Sequence, residues 1–502
     1  MTNAQVTVHT EAVIDRIEPE VHGHFSEHLG RCIYDGVWRS GNDDEDGYRD
    51  DVVSLLEDLE MPVLRWPGGC FADDYHWEDG VGPVEDRPRR RNLFWAQDTD
   101  ERPEESNEFG TDEFLQLCER LDTEPYLAAN VGSGDPQEAA DWVEYCNYEG
   151  DTELADRRRE NGHEDGYDVK FWGLGNENWG CGGRMSPEQY AREYRRFATY
   201  VGTMDNLMLD RDLELIACGF EDHEWNRRFM EEVGNSAWGQ AFPLDHLTLH
   251  HYYGRTMSVV DDETGADDYE GMLVEALEMD NHIERIAAAV DAVATTRDIG
   301  IIIDEWGTWH TEAVSENGLE QPGTALDALS AAAVLDVFNH HSDVMTMSNI
   351  AQTVNVLQCL VETDGDDAWA RPTYRVFDLY APHKGNDAVT TSVDAPTRDV
   401  EGEDDDLPLV GASASLGDGG TFLTLTNLDV REGQTVEVAL EGVDVDAADV
   451  DAEVLFADAE LDVAVTADNA DEFTAEELDV SVEDGKLVAD LDPATVAAVS
   501  VE

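Results

Sequence analysis

Two glutamates end apolar runs and sit beside aromatic residues: Glu177 in WGLGNENWG and Glu305 in IIIDEWGTW. Two carboxyl groups about 5–5.5 Å apart can cleave a glycosidic bond with retention, one attacking the anomeric carbon while the other protonates the departing oxygen. Repulsion at that distance raises the pKa of the acid while the nucleophile stays ionised. Either glutamate alone reads as an ordinary strand-end hydrogen-bonding residue, so the inference rests on the pair. A second stretch, VHGHFSEHLG at 21–30, gathers His22, His24, Glu27 and His28 and looks at first like a metal site. Strand alternation by itself puts His22 and His24 on one side of a sheet, so the spacing does not require a metal.

These groups need elements to bring them together. From about residue 20 to 380, eight short apolar runs alternate with longer amphipathic stretches such as DEFLQLCERL and LDALSAAAVLDVFNHH. That pattern predicts an α/β fold, a closed (β/α)₈ barrel with its site at the C-terminal ends of the strands. An open doubly wound sheet fits less well, because no glycine-rich phosphate loop follows the first strand. In the barrel reading, strand one ends at Glu27, strand two at Arg65 and Cys70, and strand four at Asn176 and Glu177. Strand six ends at His250 and Tyr252, strand seven at Glu305 and Trp309, and strand eight at Gln352. Strands four and seven face each other across the mouth, so Glu177 and Glu305 can converge on one bound group. After residue 384 the segments LVGASASL, TFLTLTNLD and QTVEVALEG alternate with period two between Gly/Asp turns, the pattern of an antiparallel β-sandwich. The predicted domains are a barrel at 18–383, a sandwich at 384–502, and a strand at 1–17 joining the sandwich.

The chain of 502 residues carries 114 Asp and Glu against 31 Lys and Arg, a formal charge of −83. Only Lys170, Lys384 and Lys486 are lysines. The acid is spread over the whole chain, so it reads as a solvated surface, and molar salt would screen its self-repulsion to within about 3 Å. A halophilic, cytoplasmic protein is expected, with neither nucleic acid nor membrane as a partner. The run RPRRR (87–91) reads as an internal ion-pairing loop. The N-terminus has no basic and apolar leader, and no apolar run approaches the ~20 residues of a membrane span. Seven scattered cysteines without a CxxC pair predict neither a disulfide framework nor a zinc ribbon.

A metal-dependent amidohydrolase barrel is the rival. It too would begin with His-x-His, and His223 and His250 are available to it. However, Lys170 enters strand four from the wrong end, and SNIAQT at strand eight offers no aspartate. A sugar-binding protein without catalysis would keep the tryptophans but has no use for two opposed glutamates.

The stretches GHFSEHLGRCIYDGVW, LRWPGGCFADDYHWEDGVGPVEDRPRRRNLFW, GNENWGCGG, LHHYY, DEWGTW and AQTVNVLQ together resemble the α-L-arabinofuranosidases of glycoside hydrolase family 51, over essentially the whole chain. The resemblance implies a retaining, exo-acting hydrolase of terminal arabinofuranosyl groups on arabinan, arabinoxylan or arabino-oligosaccharides, needing no metal or other cofactor. A related β-xylosidase or endoglucanase-like activity is the alternative. It also implies Glu177 as acid/base, Glu305 as nucleophile, and Asn176 as the partner of the sugar 2-hydroxyl. Tyr252 stands beside the nucleophile. Glu27 and Gln352 grip hydroxyls at the closed end, with Arg65 and His250 nearby and Trp309 as a wall. Many members have RYPGGN where this chain has RWPGGC, so Cys70 takes the place of a sugar-contacting asparagine as a poorer hydrogen-bonding thiol, or as a packing residue. A homo-oligomer is also implied.

Overall fold

The computed structural model describes residues 2–39, 47–95, 104–205, 209, 213–234, 243–260, 264–293, 299–443, 450–457 and 463–502. Eight parallel strands close a barrel: β1 (Gly23–Phe25), β2 (Val63–Trp66), β3 (Glu124–Ala129), β4 (Phe171–Leu174), β5 (Glu214–Ala217), β6 (His246–Tyr253), β7 (Gly300–Thr308) and β8 (Met345–Ala351). Each of the eight coincides with one of the eight apolar runs, overrunning it by at most two residues. The lumen is filled by one residue from each of six strands: Val63, Tyr126, Phe171, Ile216, Ile302 and Met347. A barrel of this size is a packed core, so the chemistry is left to its rim.

The helices outside begin where their sequences signal a start. Asp135 caps Pro136–Asn147 by accepting from the Gln137 and Glu138 amides, and Ser186 with Gln189 forms a capping box for Pro187–Met204. Helix Ala325–His340 is buried on nearly every side. A helix that is apolar all round needs cover on both faces. One face lies on the barrel, and the other lies under the C-terminal sheet. Asp336 of this helix is buried there and accepts hydrogen bonds from Ser413 (2.7 Å), Thr424 (2.7 Å), Thr426 (2.9 Å) and Tyr380 (3.0 Å). The periodicity of LDALSAAAVLDVFNHH foretells the helix, but not this second contact.

Beyond the barrel, ten strands form one sheet, antiparallel save for one pair. The N-terminal strand Thr2–Arg16 lies in it, antiparallel to Asp387–Asp394 and parallel to Gln434–Leu440. Alternate residues from across the sheet, such as Val6, Val389, Leu423, Val438, Ala489 and Val499, make a single apolar cluster. The sheet therefore folds over its own inner face, as a sandwich does.

The His-x-His of VHGHFSEHLG faces away from the lumen. His22 and His24 pack on Phe377 with ring centroids 6.1 and 4.9 Å away. Burial pushes His24 and His383 down to about 3. Their unfolded counterparts titrate near 6.5, so below that pH the unfolded chain binds protons that the native one refuses. Their contribution to stability is therefore intact above about pH 6.5 and falls steadily as the pH drops toward 3, by about 1.4 kcal/mol per pH unit for each ring. Unfolding free energy measured between pH 6 and 4 in molar salt should show this slope. In His383→Asn it should flatten by roughly that single-ring amount.

Candidate active site

The two glutamates reach the same place by different backbone devices. Glu177 follows β4 in the left-handed region, with φ of 40°. A non-glycine residue pays of order 1–3 kcal/mol to sit there, and the conformation aims its side chain into the mouth. On β7 the pairing register shifts between Ile302 and Glu305. In a regular strand neighbours point to opposite faces, but a bulge lets consecutive residues share one. Asp304 and Glu305 both face Arg65 as a result.

One oxygen of Glu177, one of Glu305 and a nitrogen of His250 lie within 4.8 Å of one another. The environments of the two carboxyls differ. Arg65 Nη1 donates to Glu305 Oε1 (2.9 Å) and Tyr252 Oη to Glu305 Oε2 (2.9 Å), so both oxygens are fixed. Glu177 Oε1 is 3.0 Å from His250 Nδ1. Its other oxygen lies 3.8 and 3.6 Å from the sulfurs of Cys70 and Cys181. These sulfurs carry no hydrogen, because they form a disulfide.

That disulfide corrects two expectations. Cys70 is not a free thiol, and the cysteines do include a bonded pair. Residues 70 and 181 are 111 apart in sequence, but the loops after β2 and β4 converge over the mouth and bring their Cα atoms to 5.7 Å. The other five cysteines are buried thiols. Closing so long a loop stabilises a fold by about 2–4 kcal/mol. A Cys70→Ala/Cys181→Ala double variant should unfold at correspondingly lower denaturant. Under strong reductant the wild type should converge on the same midpoint.

Behind the glutamates lies a buried charge network. Arg65 Nη2 donates to Asn176 Oδ1 (2.6 Å), and Arg65 Nη1 donates to the Asp304 carbonyl (2.9 Å). Since Arg65 can only donate, the Asn176 carbonyl is turned toward it and the amide NH₂ is left for the cavity. His250 Nε2 pairs with Asp304 Oδ1 at 3.1 Å, and its Nδ1 is also 3.4 Å from Glu305 Oε2. Burial opposes a charge on His250, yet the carboxylates of Glu305 and Asp304 hold its pKa well above the ordinary imidazole value. Asp304 is held down to about 2 against its burial by Arg65 and His250, and accepts from Tyr126 Oη (2.9 Å). Its two nitrogens thus bridge Glu177 and Asp304, one on each side of the ring.

At the closed end, Glu27 and Gln352 are paired: Gln352 Nε2 donates to Glu27 Oε2 (3.3 Å) and the Glu27 amide to Gln352 Oε1 (3.2 Å). The Phe71 amide (3.0 Å) and Trp95 Nε1 (2.8 Å) donate to Glu27 Oε1. Burial, then the charge of Glu305, pushes Glu27 up to about 7, so near neutrality it can both accept and donate. The WPGG turn must be glycine here. A Cβ on Gly69 would come within 2.7 Å of Glu305 Oε1, and one on Gly68 within 2.7 Å of Glu27 Cγ. Trp309 stands edge-on to Tyr252 with centroids 5.3 Å apart.

The structure thus gathers Glu27, Arg65, Cys70, Asn176, Glu177, His250, Tyr252, Glu305, Trp309 and Gln352 around one mouth. Arg65 touches the site through Glu305 and Asn176. Trp66, Trp172 and Trp306 are wholly buried core. Sequence reasoning missed Trp95 and Asp73, and placed Asp304 at the end of strand seven without giving it a role. Asp73 is buried and accepts from the amides of Val131 (3.1 Å), Gly132 (2.8 Å) and Asn176 (3.2 Å), tying three loops together. The acid beside Glu305 inside an otherwise apolar run was the available signal for Asp304. The RPRRR run is paired as expected, Arg87 with Glu113 (2.7 Å), Arg89 with Glu104 (3.2 Å) and Arg90 with Asp79 (2.7 Å).

The family models described as "Alpha-L-arabinofuranosidase 1 domain" and "Alpha-L-arabinofuranosidase C-terminal domain" match residues 55–271 and 304–494. An intracellular exo-alpha-L-arabinofuranosidase of Bacteroides ovatus is 40% identical over 453 residues, covering 87% of this chain and 84% of its own. The crystal structure of the GH51 arabinofuranosidase from Xanthomonas axonopodis pv. citri superposes with a TM-score of 0.91 at 33% identity, covering 100% of both chains. An arabinose complex of the Thermotoga maritima alpha-L-arabinofuranosidase superposes at 0.84 with 30% identity, over 99% of this chain and 100% of that one.

Proposed function

Since the chain belongs to the α-L-arabinofuranosidases of glycoside hydrolase family 51, a retaining family, we propose that it is an exo-acting enzyme releasing terminal α-L-arabinofuranosyl groups by double displacement. The observation that carries the reading is the carboxyl pair within 4.8 Å, one member fixed at both oxygens and the other with an oxygen that meets only sulfur. Glu305 attacks the anomeric carbon. Glu177 protonates the leaving oxygen and later takes a proton from the water that frees the sugar. Asn176 presents its amide to the 2-hydroxyl, and Glu27 with Gln352 holds the far hydroxyls. Arg65, Asp304 and His250 keep the two glutamates in place. Trp309 and Tyr252 form an apolar wall, and the Cys70–Cys181 disulfide fills the place of a hydrogen-bonding side chain beside Glu177.

The same reading takes the chain as a barrel at 18–383 with a sandwich built from 384–502 and the strand at 1–17. It is supported by the pairing of that strand with Asp387–Asp394. The acid blanket supports a protein that works in salt, and the intracellular B. ovatus relative supports a cytoplasmic place. Among the described residues no helix is long and apolar enough to cross a membrane. Assembly as a homo-oligomer belongs to the same proposal, and light scattering in molar salt tests it.

The decisive assay is a panel of nitrophenyl α-L-arabinofuranoside, β-D-xyloside and β-D-glucoside beside linear and branched arabino-oligosaccharides, in molar and in dilute KCl. The expected result is single arabinose units released from chain ends, fastest in molar KCl. A faster xyloside, or internal fragments from the oligosaccharides, would overturn the assignment.

A further inference from the structure

His251 follows His250 on β6 and so points to the opposite face, out toward helix Ala266–Asp291. Its Nε2 lies 2.9 Å from the Glu275 carbonyl oxygen. A carbonyl can only accept, so Nε2 carries the hydrogen, and in the neutral ring Nδ1 is a lone pair. That lone pair faces Glu221 Oε1 at 3.3 Å, an acceptor against a carboxylate. His282, from the same helix, stands with its ring 4.7 Å from that of His251, and its Nδ1 is buried with no hydrogen-bond partner among the described residues. One nitrogen of each ring and one oxygen of Glu221 lie within 4.8 Å of one another.

A proton on His251 would satisfy Glu221 but do nothing for His282. A cation between the three takes one nitrogen from each ring and one oxygen of Glu221 at once. The Nε2–H to backbone carbonyl bond is also the outer contact that typically orients a metal-ligating histidine. Two imidazoles and a carboxylate select a zinc-class ion over the hard cations Mg²⁺ and Ca²⁺. Tetrahedral ligands at zinc distances stand about 3.4 Å apart, so the set must close slightly. Glu221 is half-exposed on its side chain and reaches from the loop after β5, which lets it make that movement.

We propose that Glu221, His251 and His282 bind one divalent transition-metal ion on the outer face of the barrel, with water completing its shell. The ion would fasten the loop after β5, strand β6 and helix Ala266–Asp291 to one another. It lies apart from the sugar site and takes no part in hydrolysis.

The test uses the full chain, stripped by a chelator that is then removed, in molar KCl with excess Mg²⁺ to occupy the acidic surface. Titration with Co²⁺ should give a saturable visible absorption band with one ion per chain, and Zn²⁺ should raise the melting temperature. Glu221→Gln and His282→Gln should each weaken Co²⁺ binding by at least about tenfold and lose the Zn²⁺-dependent shift. Unaltered hydrolysis of nitrophenyl arabinofuranoside reports that each variant is folded, and the two substitutions lie on different elements, so one suffices if the other misfolds. Absence of one-to-one binding to the wild type, or binding unchanged in a folded variant, overturns the proposal.

Discussion

Glu305→Ala should lower kcat on every arabinofuranoside by on the order of 10⁵- to 10⁶-fold, the scale at which removal of a covalent nucleophile is felt. The proposed roles make the loss independent of the leaving group, because without the nucleophile no glycosyl-enzyme forms from any substrate. Folding should survive. The change leaves Arg65 with Asn176, Asp304 and its own backbone partners, and leaves His250 with Glu177 and Asp304. Azide, a small anion, can enter the space that the side chain vacates and attack the anomeric carbon from that same face. The product is then an arabinosyl azide of inverted configuration, with Glu177 still able to protonate the departing oxygen. NMR of that product decides the matter. A retained azide, or a variant that keeps more than a few per cent of wild-type activity, would remove Glu305 from the role.

The sequence makes the positions of Glu177 and Glu305 readable because both end strands of the regular barrel pattern, where hydrophobic period and length identify the element. Each of the eight apolar runs became a strand for the same reason. Less legible is whatever depends on a departure from regularity. Strict alternation puts Asp304 on the outside of the barrel, and only the register shift on β7 turns it toward Arg65 and His250. Trp95 lies in a long loop after β2, with no periodic pattern to say that its indole reaches Glu27. The disulfide joins two loops across β3, a proximity that follows from barrel closure and from no local motif. Composition announced an acidic surface, but buried acids, Asp73, Asp304 and Asp336 among them, help to organise the interior. Each is satisfied by donors brought from distant segments, which a one-dimensional reading cannot pair.

Glu177→Ala should separate substrates by their leaving groups. An alkoxide leaving from a natural arabino-oligosaccharide needs a proton in the first step, and loss of a positioned general acid costs about 10²- to 10⁴-fold. A dinitrophenolate needs none, so formation of its glycosyl-enzyme should stay close to the wild-type rate. The second step then becomes limiting, since the same residue activates the water. A burst of dinitrophenol equal to the enzyme concentration should precede slow turnover, and the KM should fall as the covalent intermediate accumulates. Added azide bypasses the missing base by attacking the glycosyl-enzyme, and two successive inversions yield an azide of retained configuration. The contrast with Glu305→Ala therefore assigns the two roles by stereochemistry as well as by rate. His250 sharpens the same test, because its Nδ1 serves Glu177 at 3.0 Å and lies 3.4 Å from Glu305. His250→Asn should disturb both steps, lowering oligosaccharide and dinitrophenyl rates together without a burst. If Glu177→Ala instead depressed natural and activated substrates equally, with no burst and no azide product, the proton donor would have to be sought elsewhere in the mouth.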